Sequence, residues 1–333
     1  MIFLIIYIKY IRVFKCVGFG HILNNQNYIL KRVLQYKKIK EDLVKKMSDI
    51  EIEPTYVGKN ENLKFIVPKE LFSMSAGPAE TIDRELAKEF STYLRGTFKG
   101  FQDARKTKYG NENNNKTKTT PQFWEDFKAK ARDLDVDFIG YTPVDERFIF
   151  YNLKVYGKNA IVLGMEMKWD KIKTAPSAKC EIEVFRVYKV LGDVTIELTE
   201  YLKSKGYKSE AHHPFGGKLL YGPHAVAANL GVKGQNGLII TPEFGPRQRW
   251  SIITTDAEIP ETKKKNFDTL KEFCEGCGAC VRECKGNATY EYPIEQKNSP
   301  QITHINRSKC IKSILENNYC SYCLKVCPQG YKR

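Results

Sequence analysis

Residues 274–284 read CEGCGACVREC, and residues 310–327 read CIKSILENNYCSYCLKVC. The first run spaces its cysteines C-x2-C-x2-C-x3-C; the second is C-x9-C-x2-C-x3-C followed by Pro328. Eight of the ten cysteines in the chain fall here, and only Cys16 and Cys180 lie outside. Disulfide frameworks belong to small secreted domains, so sulfur this dense at the end of a long chain points to metal. Tetrahedral zinc sites draw on two C-x2-C or Cys/His pairs across a longer loop, whereas three cysteines spaced by two residues suit three corners of an iron-sulfur cube. The spacing favours two 4Fe-4S clusters, with zinc as the rival.

In two-cluster ferredoxins the fourth cysteine of each run ligates the other cluster. That rule joins Cys274, Cys277 and Cys280 with Cys327, and Cys310, Cys320 and Cys323 with Cys284. The small Gly276, Gly278 and Ala279 let backbone amides approach sulfur, which stabilises a reduced cluster. Lys285 stands where the first run would carry a proline.

The remaining chain is too long for a bare ferredoxin. Its 333 residues are 42% apolar, enough to bury one large core or two modest ones. Residues 1–46 hold ten Lys and Arg against Glu41 and Asp42, a net +8 that leaves +7 of the total +15 for the rest. They read as a basic N-terminal extension, either a surface-binding arm or a tail outside the fold, since Met47 opens a plausible start of its own. Lys9, Arg12 and Lys15 interrupt the apolar "MIFLIIYI" long before the roughly 20 residues a spanning helix needs. With neither a cleavage site nor a twin-arginine pair, the expected location is cytoplasmic.

Residues 47–104 form an N-terminal helical segment, with Pro78 near the first turn of a helix carrying Leu86, Phe90, Leu94 and Phe98. Residues 105–119, "RKTKYGNENNNKTKT", read as a polar linker. Thr120 and Pro121 fit the N-cap and first position of a second helix, where Trp124, Phe127 and Ala131 form an apolar stripe. Strand-length runs at "VDFIGYT", "RFIFYNL", "NAIVLGMEM", "NGLIIT" and "RWSIITTD" surround a long helical pattern from about Cys180 to Leu202 that Gly206 ends. Residues 120–262 thus read as an α/β domain, which the resemblance described below makes reductase-like, and residues 263–333 as the double-cluster domain. The fold class is α+β, a mixed sheet with flanking helices followed by a small ferredoxin-like unit. Neither G-x-G-x-x-G after a strand nor G-x-x-x-x-G-K-[ST] is present.

The segment LGVKGQNGLIITPEFG at 230–245, followed by these two cysteine runs, resembles the epoxyqueuosine reductase and reductive dehalogenase superfamily over roughly residues 120–333. The resemblance implies a nitroreductase-like domain carrying a base-off corrinoid, cobalamin in type, whose cobalt is reduced by the C-terminal clusters. It also implies an anaerobic, oxygen-sensitive oxidoreductase, a ferredoxin or flavodoxin as electron donor and a small-molecule substrate. Gly231, Gly234, Gly237 and Arg247 are the expected cofactor-binding residues, with Arg249 beside them. Three features depart from the pattern. Between Gly206 and Gly231 there is no aspartate to act as the epoxyqueuosine reductases' general acid, only Glu210. Helical repeats associated with a tRNA substrate do not follow Cys327, which makes nucleic acid an unlikely partner. A corrinoid-ligating D-x-H-x-x-G is not met either, because Ala211 stands two residues before His213.

Tyr221, His213 and His224 are the candidate proton donors, with His212 adjacent. Tyr221 corresponds in kind to the tyrosine that dehalogenases use. The alternative to an enzyme is an electron carrier whose large N-terminal part docks a partner redox protein. A filled core facing the first cluster would favour that carrier.

Overall fold

The computed structural model describes residues 55–61, 63–64, 84–110, 113–295, 302–317 and 320–331. The basic extension at 1–46, with Cys16, and the expected helix start at Pro78 lie outside these residues. Strand β1 (Thr55–Val57) precedes helix α1 (Arg84–Lys106) and helix α2 (Pro121–Asp133). Then come β2 (Phe138–Pro143), β3 (Lys154–Tyr156), β4 (Asn159–Glu166), the single turn α3 (Trp169–Ile172) and the long α4 (Ala178–Ser204). Strand β5 (Ser209–His212), helix α5 (Tyr221–Ala227), the short pair β6 (Val232–Lys233) and β7 (Ile239–Ile240), and β8 (Gln248–Thr255) complete the body.

The central sheet runs β2-β4-β8-β5. Every pair in it is antiparallel, so the mixed sheet expected from sequence is corrected to an antiparallel one. Strand β4 reads as an almost continuous apolar run because both of its faces are covered. Its period of two sorts the residues: Ile161, Leu163 and Met165 face a core built with α2 and α4, while Ala160 and Val162 face a second core built with α5 and the β6-β7 pair. Ile253 and Ile252 of β8 divide the same way. Helix α2 begins as its sequence dictates, with the Thr120 hydroxyl accepting from the Phe123 amide, and it buries Phe127 completely. Gly206, at φ +94°, ends α4 where a side chain would strain the turn.

One sequence expectation fails locally. "RFIFYNL" is no strand: Asp145 accepts from the Arg147 amide and winds Glu146–Phe148 into a 3-10 turn, after which Ile149 plugs the second core. The polar stretch after α1, expected as an exposed loop or linker, is tied to the sheet. It runs beside β5, with Tyr109 O accepting from Ser209 N (2.8 Å), Gly206 O accepting from Lys116 N (3.0 Å) and Thr117 O accepting from Glu258 N (2.7 Å). Tyr109 and Asn114 are buried beneath it. The stretch covers the open edge of the sheet, which explains why a segment so poor in apolar residues is nonetheless ordered.

The C-terminal part holds α6 (Asp268–Cys277), α7 (Ala279–Arg282), a hairpin of β9 (Thr289–Glu295) and β10 (Ile302–Ile305), α8 (Arg307–Glu316) and α9 (Tyr322–Lys325). A last 3-10 turn covers Pro328–Tyr331. Among the described residues no helix is long and apolar enough to cross a membrane.

Candidate redox site

The cysteines gather in two sets that interleave along the chain. Cys274, Cys277, Cys280 and Cys327 line one small recess, partly open to solvent, together with Phe273, Gly278, Pro328 and Gln329. Burial, then the charges of Cys274, Cys327 and Cys277, pushes the Cys280 thiol up to about 12. In the other set, burial and then Cys320 and Cys284 push the Cys310 thiol up to about 11. Cys323 is raised by burial and then by Cys310 and Cys320. It also feels Cys280, which places the two sets side by side. Cys284 is lowered: burial is the largest single influence and raises it, but the amides of Ala288, Gly286 and Thr289 and the Thr289 hydroxyl outweigh it. Withdrawn thiols that repel one another ionise only against a shared positive centre, so both sets fit the chemistry of an iron-sulfur cluster. Among the described residues no three His, Cys, Asp or Glu side chains converge on a single-ion site.

The body of the protein reaches into the first set from two sides. Gly231, Gly234 and Gly237 shape the β6-β7 turn: a Cβ on Gly231 would lie 2.3 Å from Ile240 O, and one on Gly237, at φ +73°, 2.8 Å from Ile305. This close turn delivers Asn236 to the cavity and the Gln235 amide to the Cys274 sulfur, while Gln235 Nε2 donates to Glu275 O at 3.0 Å. The expected cofactor glycines therefore lie against the first cysteine set. Arg247 is also placed there. Its guanidinium is buried and donates to Gly330 O (2.6 Å), Met167 O (2.6 Å) and Glu166 Oε1 (2.5 Å).

The proton-donor candidates sit in the body, packed into polar surroundings. His213 Nδ1 accepts from the Phe215 amide at 3.1 Å, while its Nε2 is buried without a partner in a notch between α1 and α4. A Cβ on Gly192 would fall 1.9 Å from that nitrogen and one on Gly100 3.0 Å away. The notch has no room for a metal on Nε2, and burial holds the ring neutral, down to about 3. Tyr221 donates to His213 O at 2.7 Å; burial, then Tyr188, raises its hydroxyl far above the ordinary range. His224 Nδ1 faces Leu220 O at 2.6 Å and Nε2 accepts from the Asp145 amide at 3.2 Å, so both ring nitrogens are bound to backbone. Buried Glu210 is neutralised by Lys218 and accepts from the Tyr156 amide at 3.2 Å, while His212, 3.1 Å from Thr254 Oγ1, is lowered by burial.

Sequence reading named Arg249 beside Arg247 but missed the groups it meets, Tyr188 and Glu181. The Arg249 guanidinium lies 5.0 Å from the centre of the Tyr188 ring, and its Nε is buried without a partner. Glu181, two helical turns before Tyr188 on α4, is pushed up to about 7 by burial, which Arg249 partly offsets. Tyr188 looked like one more apolar position of a helical stripe. The signal available was Arg249 itself, a cation in a strand whose neighbours are Trp250, Ser251 and Ile252.

Comparison with known proteins agrees with this geometry. The 4Fe-4S dicluster domain family matches residues 273–331. The chain is 29% identical over 188 residues to the tetrachloroethene reductive dehalogenase of Desulfitobacterium hafniense, covering 51% of this chain and 32% of that one. It is 30% identical over 181 residues to the enzyme of the same name from Sulfurospirillum multivorans, covering 51% and 35%. The chain thus spans about a third of the length of these relatives. A solved reductive dehalogenase, described in connection with B12-dependent dehalogenation, superposes with a TM-score of 0.64 at 18% identity, covering 85% of this chain and 44% of that one. The chain is therefore similar in sequence to reductive dehalogenases over about half its length, shares their fold and carries a C-terminal 4Fe-4S dicluster domain.

Proposed function

We propose that this chain is the redox core of a corrinoid-dependent reductase of the reductive dehalogenase type. Its nitroreductase-like body acts on a halogenated small molecule. The overall reaction replaces a carbon-halogen bond by a carbon-hydrogen bond, consuming two electrons and one proton and releasing halide. Cys274, Cys277, Cys280 and Cys327 hold the cluster nearer the body, and Cys284, Cys310, Cys320 and Cys323 hold the outer one. The observation that carries this reading is that the first sulfur set is completed by groups of the body, the Gln235 amide and the loop gripped by Arg247. An electron carrier with independent clusters has no need of that contact. The family's corrinoid, when bound, supplies a strongly reducing cobalt.

The protein's own contribution is proton delivery. Tyr188 Oη holds the proton, and the Arg249 guanidinium over the ring stabilises the phenolate left behind. Glu181, whose carboxyl is pushed up by burial, is the group assigned to reload it. Tyr221 is a poorer donor because its hydroxyl is already committed to His213 O.

The test is iron, acid-labile sulfide and cobalt per chain, on protein made and purified without oxygen in cells supplied with cobalamin. About eight irons with stoichiometric cobalt is the expected result. In the loaded protein Tyr188→Phe should lower turnover of a chlorinated alkene by about 10²–10⁴-fold with both clusters retained. Eight irons with no cobalt after incubation with cobalamin would move the reading to electron carriage. Zinc in place of iron would sink both.

A further inference from the structure

Arg247 was expected to bind a cofactor, yet all of its hydrogen bonds described above are spent within the protein. Glu166 Oε1 and Met167 O, at the end of β4, anchor one edge of the guanidinium, and the rings of Trp169 and Phe244 each lie 5.7 Å from its carbon. Its Nε reaches out of the body to Gly330 O at 2.6 Å. Residues 329 and 330 carry the two amides that donate to the Cys327 sulfur. The Gly330 amide also bonds Cys327 O at 2.9 Å, so the loop is a tight turn around the sulfur. A second contact presses on the same loop. Gly245, at φ +58°, approaches so closely that a Cβ there would lie 2.5 Å from Gly330 N. Outside the loop, Trp169 meets Tyr331 with ring centres 4.8 Å apart.

The outer set is built differently. Its Cys284 receives its amides from Gly286, Ala288 and Thr289, all within its own segment. The hydrogen bonds of the first set depend on a contact made by the preceding domain.

We infer that Arg247 is a positioning residue that fixes the Gln329 and Gly330 amides on the Cys327 sulfur and thereby sets the reduction potential of the first cluster, independently of the second. The inference rests on the reading that Cys327 ligates the first cluster. Amides aimed at a cluster's sulfurs stabilise the extra electron, so loosening the loop lowers the potential. Arg247→Lys keeps the charge but loses the planar fork that bridges Gly330, Met167 and Glu166.

The experiment is an anaerobic potentiometric titration of the full chain, followed by electron paramagnetic resonance. In R247K the first cluster should become harder to reduce by at least tenfold in its reduced-to-oxidised ratio at fixed potential, which is 59 mV for one electron. The second cluster should not move. Gly245→Ala leaves the guanidinium in place, displaces the same loop and should reproduce the shift. Selective loss of the first cluster in R247K, with the second retained, is the extreme of the same loosening and supports the inference. It is overturned by unshifted potentials in R247K or in G245A, or by equal loss of both clusters. Wild-type protein that fails to show two separable clusters would instead bring down the underlying cluster reading.

Discussion

Replacing Gly192 with alanine puts a methyl group where His213 already sits. Two effects oppose each other. In a helix interior alanine is favoured over glycine by about 1 kcal/mol. Against that, the new Cβ would lie 1.9 Å from His213 Nε2, far inside contact distance. The ring has little room to retreat, because a Cβ built on Gly100, on the α1 side, would lie only 3.0 Å from the same nitrogen and Phe101 meets the ring edge-on with centroids 6.1 Å apart. Overpacking of this severity costs about 3 kcal/mol, and breaking the Phe215 amide's bond to Nδ1 about 1 more. The clash wins by roughly 3 kcal/mol, a fall in melting temperature of about 6–12 °C for a domain of this size. The assay is urea unfolding of the anaerobic full chain by circular dichroism, repeated in a His213→Ala background. There the obstructing ring is gone, and G192A should become neutral or stabilising, a coupling of about 3–4 kcal/mol. A G192A penalty under about 1 kcal/mol, or the same penalty in both backgrounds, would refute the packing argument.

Acid should destabilise the fold through its buried histidines. His213, held down to about 3, and His212 and His224, also lowered, are neutral when folded but bind protons when unfolded below about pH 6.5. Their contribution is complete above that pH and is lost as pH falls, at about 1.4 kcal/mol per pH unit for each. Glu181, raised to about 7, works the other way because the folded state binds its proton first. Stability should fall as pH drops from 6.5 to 5, and His213→Asn should make that fall shallower by about one proton; unfolding midpoints that do not move with pH would contradict this. Tyr221→Phe should cost only about 0.5–1.5 kcal/mol, from its bond to His213 O, and leave turnover far less affected than Y188F. A loss of turnover in Y221F equal to that in Y188F would return the donor role to Tyr221.

Local signals in the sequence were read correctly. Thr120 followed by Pro121 caps α2, Gly206 ends α4, and the cysteine spacing marks the dicluster domain, because caps and ligand spacings are decided within a few residues. What was missed depends on partners far along the chain. Strand β5 did not read as one because Glu210 and His212 carry polar atoms into the interior, and Lys218 and Thr254, which satisfy them, lie elsewhere. "RFIFYNL" has the composition of a strand, but one Asp145 hydrogen bond turns it. Arg247 was recognised as important, but its contact with Gly330, 83 residues away, could not be read from local spacing. Tyr188 gained its meaning only when β8 brought Arg249 above its ring.

The boundary near residue 262 divides the sequence more cleanly than it divides the molecule. A graft of the C-terminal cysteine domain onto another protein would carry every sulfur ligand with it. It would leave behind Gln235, Gly245 and Arg247, and with them the outside half of the scaffold around the first quartet. Transplanted this way, the outer cluster travels as a module and the inner one does not.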